Sequence, residues 1–600
     1  MRLTKLWTIP VTALLLTACS TETLTDSTTT PTGDDAVSFA RLNVNLPSVP
    51  TTRAYYTPDA GADDEFKVTG DPRIFLFENE KGADAKSEDE YTFLYEAEPT
   101  DWIPDKNASG DEYQDYESFI IKLRGANKSY SNLYALVVLN GDNIPAPYAN
   151  ETFGHYNAAV SITNGNTSDY LGSTNNGFFM ANAANGNAAS ATADPTVLVL
   201  LTPYNSPDAA KAGPGNNIYV ERNAVKVTVT KAQEAYKLKS DDKVTVTPLA
   251  WTLTNTNLKM YPFHKVTGLR KDSTNSYKYK DIWSPTTGSD GSTVASRFLG
   301  PAFDGFRRTL WSMDPNYDTN LKKDEFHVAT ADEVTAKFST SATSATENAT
   351  AVYNPLYCAE NTFDIAHMMK GQTTAVIVKA KLTGSTDATY ADENQIAAKP
   401  RRFTRGNTSG VTGNIYVTPG HVWSEAGFAV QVAKAATASF GITVETNNVN
   451  LKPLLGKVKT SLTAENFTGL KKNGADFTPT DELKDLNIEI GPVTGYAGGI
   501  CYYIAYIRHF DDDETPWKSG DPTYEGSDNS VDYNAKYLGR YGVVRNNWYD
   551  LSIQDFAYPG SPDIPTPDHP EDPDDDNSVI KLNVKVNPWA KEKTRIVKLE

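Results

Sequence analysis

Three features of this sequence predict an all-β chain. Short apolar runs are separated by Gly, Pro, Asn, Asp and Ser; tyrosine is abundant (32) while methionine is scarce (6); and helical periodicity is rare. The clearest run is the last, residues 577–600, NSVIKLNVKVNPWAKEKTRIVKLE. Ile580, Leu582, Val584 and Val586 alternate there with Lys581, Asn583 and Lys585, and Trp589 precedes a second short run holding Ile596 and Leu599. Alternation with β-branched residues on one face specifies a strand.

The segment before it isolates that strand. In residues 559–576, PGSPDIPTPDHPEDPDDD, prolines recur among acids, so it can join no ladder and is read as an extended, self-repelling spacer. At about 3.1 Å per residue it spans roughly 50–60 Å, enough to reach another molecule. The alternative is a last sheet strand after a long surface loop.

Six hundred residues exceed one core, so two or more domains are expected. The net charge of −19 argues against nucleic acid and anionic membrane surfaces as partners.

The first residues read as an address. Arg2 and Lys5 precede an apolar run, residues 6–16, too short to span a bilayer and ending in small residues, as in a secretory signal. Leu16-Thr17-Ala18-Cys19 resembles a bacterial lipobox, whose cysteine is lipidated and becomes the new N-terminus; the alternative is an ordinary signal with an incidental cysteine. Acyl chains contribute about 0.8 kcal/mol per buried CH₂. No later run is long and apolar enough for a transmembrane helix. Cys358 and Cys501 remain, in strand-like surroundings, and whether they pair is open.

Residues 20–35 are a polar tether. Residues 37–46, VSFARLNVNL, form a strand with Ala40, Leu42, Val44 and Leu46 on one face, stopped by Pro47. The Pro- and Thr-rich loop that follows holds Arg53 before Ala54, a site open to a trypsin-like protease. Cutting there frees one apolar strand, with the lipid, from everything downstream. Core strands are expected over residues 73–77, 117–123, 133–140 and 197–201, with 218–229 closing a first domain. A second domain has strands near 243–253, 374–382, 415–417, 428–432, 486–490, 500–508 and 548–553, and a short helix around 363–370. The Gly- and Asn-rich stretch 181–193 is read as a surface loop.

The joint pattern resembles the major subunit of Bacteroidales short (minor) fimbriae, of the type V pilin family. The resemblance is carried by VERNAVKVTV at 220–229, TAVIVKAKL at 374–382, VVRNNWYDLSI at 543–553, the acidic proline linker and the tail VKVNPW, with the lipobox and loop arginine. It implies two transthyretin-like β-sandwich domains and export as an outer-membrane lipoprotein through the lipoprotein export machinery. It further implies an arginine-specific extracellular protease that removes the lipidated first strand, and a neighbouring subunit whose C-terminal strand fills the open groove. Carried over, Cys19 is lipidated, Arg53 and Ala54 flank the cut, and Ala40, Leu42, Val44 and Leu46 mark the removed strand. Ile580, Leu582, Val584, Val586, Trp589, Ile596 and Leu599 mark the donor strand. The organisation expected is a signal peptide (1–18), a lipidated propeptide (19–53), an acceptor sandwich (54–235), a second sandwich (236–557), a linker (558–577) and a donor (578–600). Partners are then identical subunits in the fimbrial polymer, with anchor and tip subunits; a tip or accessory role is the alternative within the family.

Other classes fit less well. No HExxH, GxSxG or GxxxxGK[ST] occurs, no EF-hand spacing appears, and no cofactor, metal or catalytic residue is expected. The acid runs Asp63-Asp64-Glu65 and Asp511-Asp512-Asp513 read as solvated loops, and His367 and His509 as structural or surface histidines. A glycan-binding surface lipoprotein, stacking sugars on Tyr55, Tyr56 or Trp102, is the second alternative; it predicts a monomer that keeps its lipid.

Overall fold

The structure is a computed structural model that describes residues 37–45, 65, 67–81, 87–103, 117–124, 132–162, 169–186, 196–240, 244–266, 286–287, 293–294, 298–300, 306–319, 323–340, 353–384, 404–405, 413–419, 421–510, 515, 538–566 and 579–588. Strand outweighs helix, 43% to 16%, so the chain is all-β with a helical inset.

The N-terminal sheet is built from β1 (Val37–Asn45), β2 (Arg73–Glu78), β3 (Thr92–Ala97), β4 (Pro99–Ile103), β5 (Glu117–Arg124), β6 (Leu133–Leu139), β7 (Met180–Asn182), β8 (Val199–Leu200) and β9 (Asn216–Arg222). Its order is β3-β2-β6-β7-β9-β1-β5-β4, with β8 also on β6. Leu42, Ile74, Ile121, Val137 and Ile218, from strands along the whole path, share one core, so the sheet curls over its inner face. The run LYALVVL of β6 is buried at every position because its other face is covered too. Phe75, Leu136 and Val138 on that side join Phe263, Trp311, Phe363 and Phe510 in a cluster shared with the second unit.

The second unit contains β10 (Val225–Lys231), β11 (Tyr236–Lys237), β12 (Val244–Thr254), β13 (Leu356–Cys358), β14 (Ala375–Gly384), β15 (Thr404–Arg405), β16 (Ile415–Thr418), β17 (His421–Ser424), β18 (Thr494–Tyr496), β19 (Ile500–Tyr506), β20 (Asn547–Phe556) and β21 (Ile580–Pro588). Two four-stranded sheets, β13-β10-β20-β21 and β11-β12-β14-β19, enclose Val227, Trp251, Val378, Tyr503 and Leu551 as a sandwich core. Cys358 and Cys501 are both buried there as free thiols, pushed up to about 12 by burial.

Five expectations are corrected. The single strand read over 218–229 is two, β9 and β10, which lie in different sheets and turn at Asn223-Ala224. The supposed surface loop 181–193 begins as part of β7, with Ala181 and Ala184 buried.

The strands read at 428–432 and 486–490 are helices, α1 (Glu425–Phe440) and α2 (Glu482–Ile490), packed on the small sheet β15-β17-β16-β18. Ser424 caps α1 by accepting from Gly427 N, and Gly441 closes it at φ 63°. Phe428, Val432, Ala436 and Phe440 form the buried stripe, four residues apart. In α2 the alternation of Leu486, Ile488 and Ile490 misled: Leu486 and Ile490 are buried while Ile488 is 75% exposed, the spacing of a helix. The helix expected near 363–370 is one 3₁₀ turn, Ile365–His367.

Candidate functional site

The strands singled out at the two ends of the chain occupy unlike positions. β1 lies inside its sheet, antiparallel to β5 with Ala40 opposite Ile121, and parallel to β9 with Leu42 opposite Asn216. Both of its edges therefore complete a ladder. Phe39 also exchanges backbone hydrogen bonds of 2.8 and 2.7 Å with Tyr204. Ala40 and Leu42 are fully buried and Val44 nearly so.

The tail strand β21 pairs antiparallel with β20, Val586 opposite Tyr549, Val584 opposite Leu551 and Leu582 opposite Ile553. Among the described residues no strand pairs with its outer edge. Ile580 is fully buried, whereas Leu582, Val584 and Val586 are only partly buried against the second core. Lys581, Asn583 and Lys585 are exposed. A cleft of about 360 Å³ opens alongside, lined in part by Tyr496, Tyr503, Pro562 and Val579. Opposite Lys585, burial raises the Asp550 carboxyl, against the pull of the bond from Thr228 and the ammoniums of Lys585 and Lys226.

The two strands also share a pattern that reading each alone missed. Arg41-Leu42-Asn43-Val44 and Lys581-Leu582-Asn583-Val584 place a base, leucine, asparagine and valine in the same order, each followed by a proline, Pro47 or Pro588. Comparing the two ends of the chain would have found it. Cys19, Leu46, Arg53, Ala54, Trp589, Ile596 and Leu599 lie outside the described residues, as do Tyr55, Tyr56, Asp63, Asp64 and the acids 511–513.

Between the units lies a buried polar junction built from two strings noted in the sequence, 220–229 and 543–553. Arg545 Nη1 donates to Asn223 Oδ1 at 2.7 Å, and Arg222 Nη1 donates to Asn546 Oδ1 at 3.4 Å, so two Arg-Asn pairs clasp each other across the junction. Arg545 also pairs with Glu360, both fully buried. Burial alone would raise Glu360, but the guanidinium and the Ser312 hydroxyl hold it below the usual carboxylate value. Glu65, expected in a solvated acid run, is instead 2% exposed. It accepts from Lys226 Nζ at 2.7 Å and Tyr357 OH at 2.7 Å, while its carbonyl accepts from Arg222 Nε at 3.1 Å. Burial lowers Lys226 and brings Arg222 down to about 10, with Glu65 opposing both shifts. The ammonium lies 4.5 Å from the centre of the Trp548 ring. Glu65 thus fastens the chain to the junction a short way downstream of Arg53.

Residues 494–594, which span β18 to β20 and the described tail strand, match the family model "Major fimbrial subunit protein type IV, Fimbrillin, C-terminal". That match likens the C-terminal part of the chain to fimbrial subunits. No curated protein matches it. Among solved structures, similar ones include a candidate cell adhesion protein from Parabacteroides distasonis (12% identity, 92% of this chain and 100% of that one, TM-score 0.29). Another candidate cell adhesion protein, from Bacteroides eggerthii, has 11% identity over 94% of this chain and 99% of that one, TM-score 0.30. The tip fimbrial protein Mfa3 from Porphyromonas gingivalis has 10% identity over 59% and 84%, TM-score 0.24.

His509 is a junction residue. Its Nδ1 lies 2.7 Å from the Tyr549 hydroxyl, which itself accepts from Val544 N at 2.8 Å, and its Nε2 lies 2.8 Å from the Leu310 carbonyl. This arrangement sets a neutral ring with the proton on Nε2. Burial lowers it to about 3.

Two outcomes follow for the junction. Glu65→Ala leaves the Lys226 ammonium buried without its carboxylate and is expected to cost about 3–5 kcal/mol in denaturant unfolding, with Lys226→Met recovering part of the loss. Because His509 protonates far more readily unfolded than folded, its contribution is present above about pH 6.5 and lost as pH falls toward 3, at up to about 1.4 kcal/mol per pH unit. Tm measured against pH should therefore fall more steeply below 6.5 in the natural chain than in His509→Gln.

Proposed function

We propose that this chain is a fimbrial subunit, a stalk pilin that polymerises by strand exchange. It is exported as a lipoprotein acylated at Cys19 and anchored in the outer membrane. An arginine-specific extracellular protease cuts between Arg53 and Ala54, which releases the strand marked by Ala40, Leu42, Val44 and Leu46. The tail of a second subunit, residues 579–599, then takes its place. The observation that carries this reading is the position of β1: a central strand of the N-terminal sheet, bound on both edges, whose covalent link to the rest of that sheet runs through the segment holding Arg53.

Removing such a strand exposes a groove with two unsatisfied ladders and an apolar floor, which an extended strand of matching alternation can fill by β-augmentation. Burial of four large side chains at about 1.5–3 kcal/mol each gives a gross gain of roughly 6–12 kcal/mol before the ladder bonds. Dissociation is correspondingly slow. Donor and acceptor are different surfaces of one molecule, so the contact runs head to tail without closing and yields a filament. The Pro-rich acidic linker supplies the reach.

Treating the purified soluble precursor with an arginine-specific protease should give a new N-terminus at Ala54. Unboiled samples should then run as a ladder on a denaturing gel, abolished by deleting 579–600. A start at Ala54 without a ladder would indicate a tip or accessory subunit. A chain that resists cutting and stays a lipidated monomer would indicate a surface lipoprotein of another kind, such as a glycan binder.

A further inference from the structure

We infer that the groove holds a slot for one asparagine, and that this slot sets the register in which the second copy's tail enters, with Asn583 where Asn43 now sits. The inference rests on the strand-exchange reading and adds the residue that specifies its alignment. Asn43 lies on the polar face of β1, opposite Ser118 of β5 and Asn217 of β9. Its Nδ2 donates to Asn217 Oδ1 at 2.9 Å, and its Oδ1 accepts from the buried Ser118 hydroxyl at 2.8 Å. Gly215 forms the wall: a Cβ there would fall 2.3 Å from Asn43 Nδ2 and 2.6 Å from Cγ. The slot is cut to an amide that both donates and accepts.

A β-strand slipping in a two-sided groove must move by two residues to keep its apolar face inward. Either such slip puts Lys581 or Lys585 against Ser118 and Asn217. Lysine carries three donors and no acceptor, so Ser118 loses its partner and a longer chain meets Gly215. A slip of four brings Asn587 into the slot but sets Pro588 at the position of Val44, where a central strand needs its N–H. With Asn583 in place, Leu582 falls on Leu42 and Val584 on Val44, identical residues. Lys581 falls on Arg41, whose Nη1 donates to the carbonyls of Lys211 at 3.2 Å and Gly213 at 3.4 Å, acceptors an ammonium can also meet. In the tail's own seat Asn583 is exposed, opposite Ser552, so replacing it spares the fold of the donor.

The test is cross-linking in protease-trimmed mixtures. Acceptor subunits carry Ser118→Cys, and donors carry Asn583→Cys, Lys581→Cys or Lys585→Cys in turn. The slot predicts a disulfide chiefly from the Asn583→Cys donor. In chains without added cysteines, Asn583→Leu is expected to speed dissociation of the ladder about tenfold, the loss of one to two hydrogen bonds. Gly215→Ala in the acceptor should weaken binding of the natural tail in the same way. Dominant cross-links from Lys581→Cys or Lys585→Cys, or an Asn583→Leu ladder as durable as the natural one, would overturn the slot while leaving strand exchange standing. No ladder from the unsubstituted trimmed chain would overturn strand exchange itself, and the slot with it.

Discussion

The N-terminal core depends on a ladder closed on both sides of β1. β5 and β9 each turn a row of backbone donors and acceptors toward that strand, and Ile121 and Ile218 share its apolar floor. Buried backbone groups without partners are costly, and a cleft of that length would flood or collapse. The domain therefore needs a strand in this place, but its covalent origin is immaterial to the sheet. In this chain that strand comes from upstream of Arg53.

The tail answers the opposite requirement. A free apolar strand invites aggregation, and an edge strand invites pairing. β21 is stored against β20 with its apolar side partly covered and with Lys581 and Lys585 on the face turned to water. Such a seat protects the strand while leaving much of its burial unrealised. The difference between one ladder and two, and between partial and near-complete burial of Leu582 and Val584 against Leu42 and Val44, is what the proposed strand exchange would draw on. The junction of Glu65, Lys226, Arg222 and Arg545 ties the N-terminal sheet to the second unit, and Glu65 lies downstream of Arg53 in the sequence.

Alternation made most of the strands legible in the sequence. LYALVVL, AVIVKAKL and WYDLSI each fall where the sequence places them. Alternation failed where a short window fits two periods: LNIEI alternates, yet the turn from Leu486 to Ile490 is helical and Ile488 points to water. It failed again at Asn223, where an unbroken string passes between two sheets. The burial of Glu65 was illegible because its partners, Lys226 and Tyr357, are remote in sequence. The two end strands were legible and their kinship was not, since Leu42-Asn43-Val44 and Leu582-Asn583-Val584 are ordinary strand sequence until set side by side. Ser118, Gly215 and Asn217 carry no signal at all until the fold brings them to Asn43.

Native-state hydrogen exchange on the intact chain tests the inequality of the two seats most directly. If β1 is held on both edges and β21 on one, amides of Ala40 to Val44 should exchange among the slowest in the chain, and those of Leu582 to Val586 at least about a hundredfold faster. Equal protection in the two strands, or a tail slower than β1, would contradict the account.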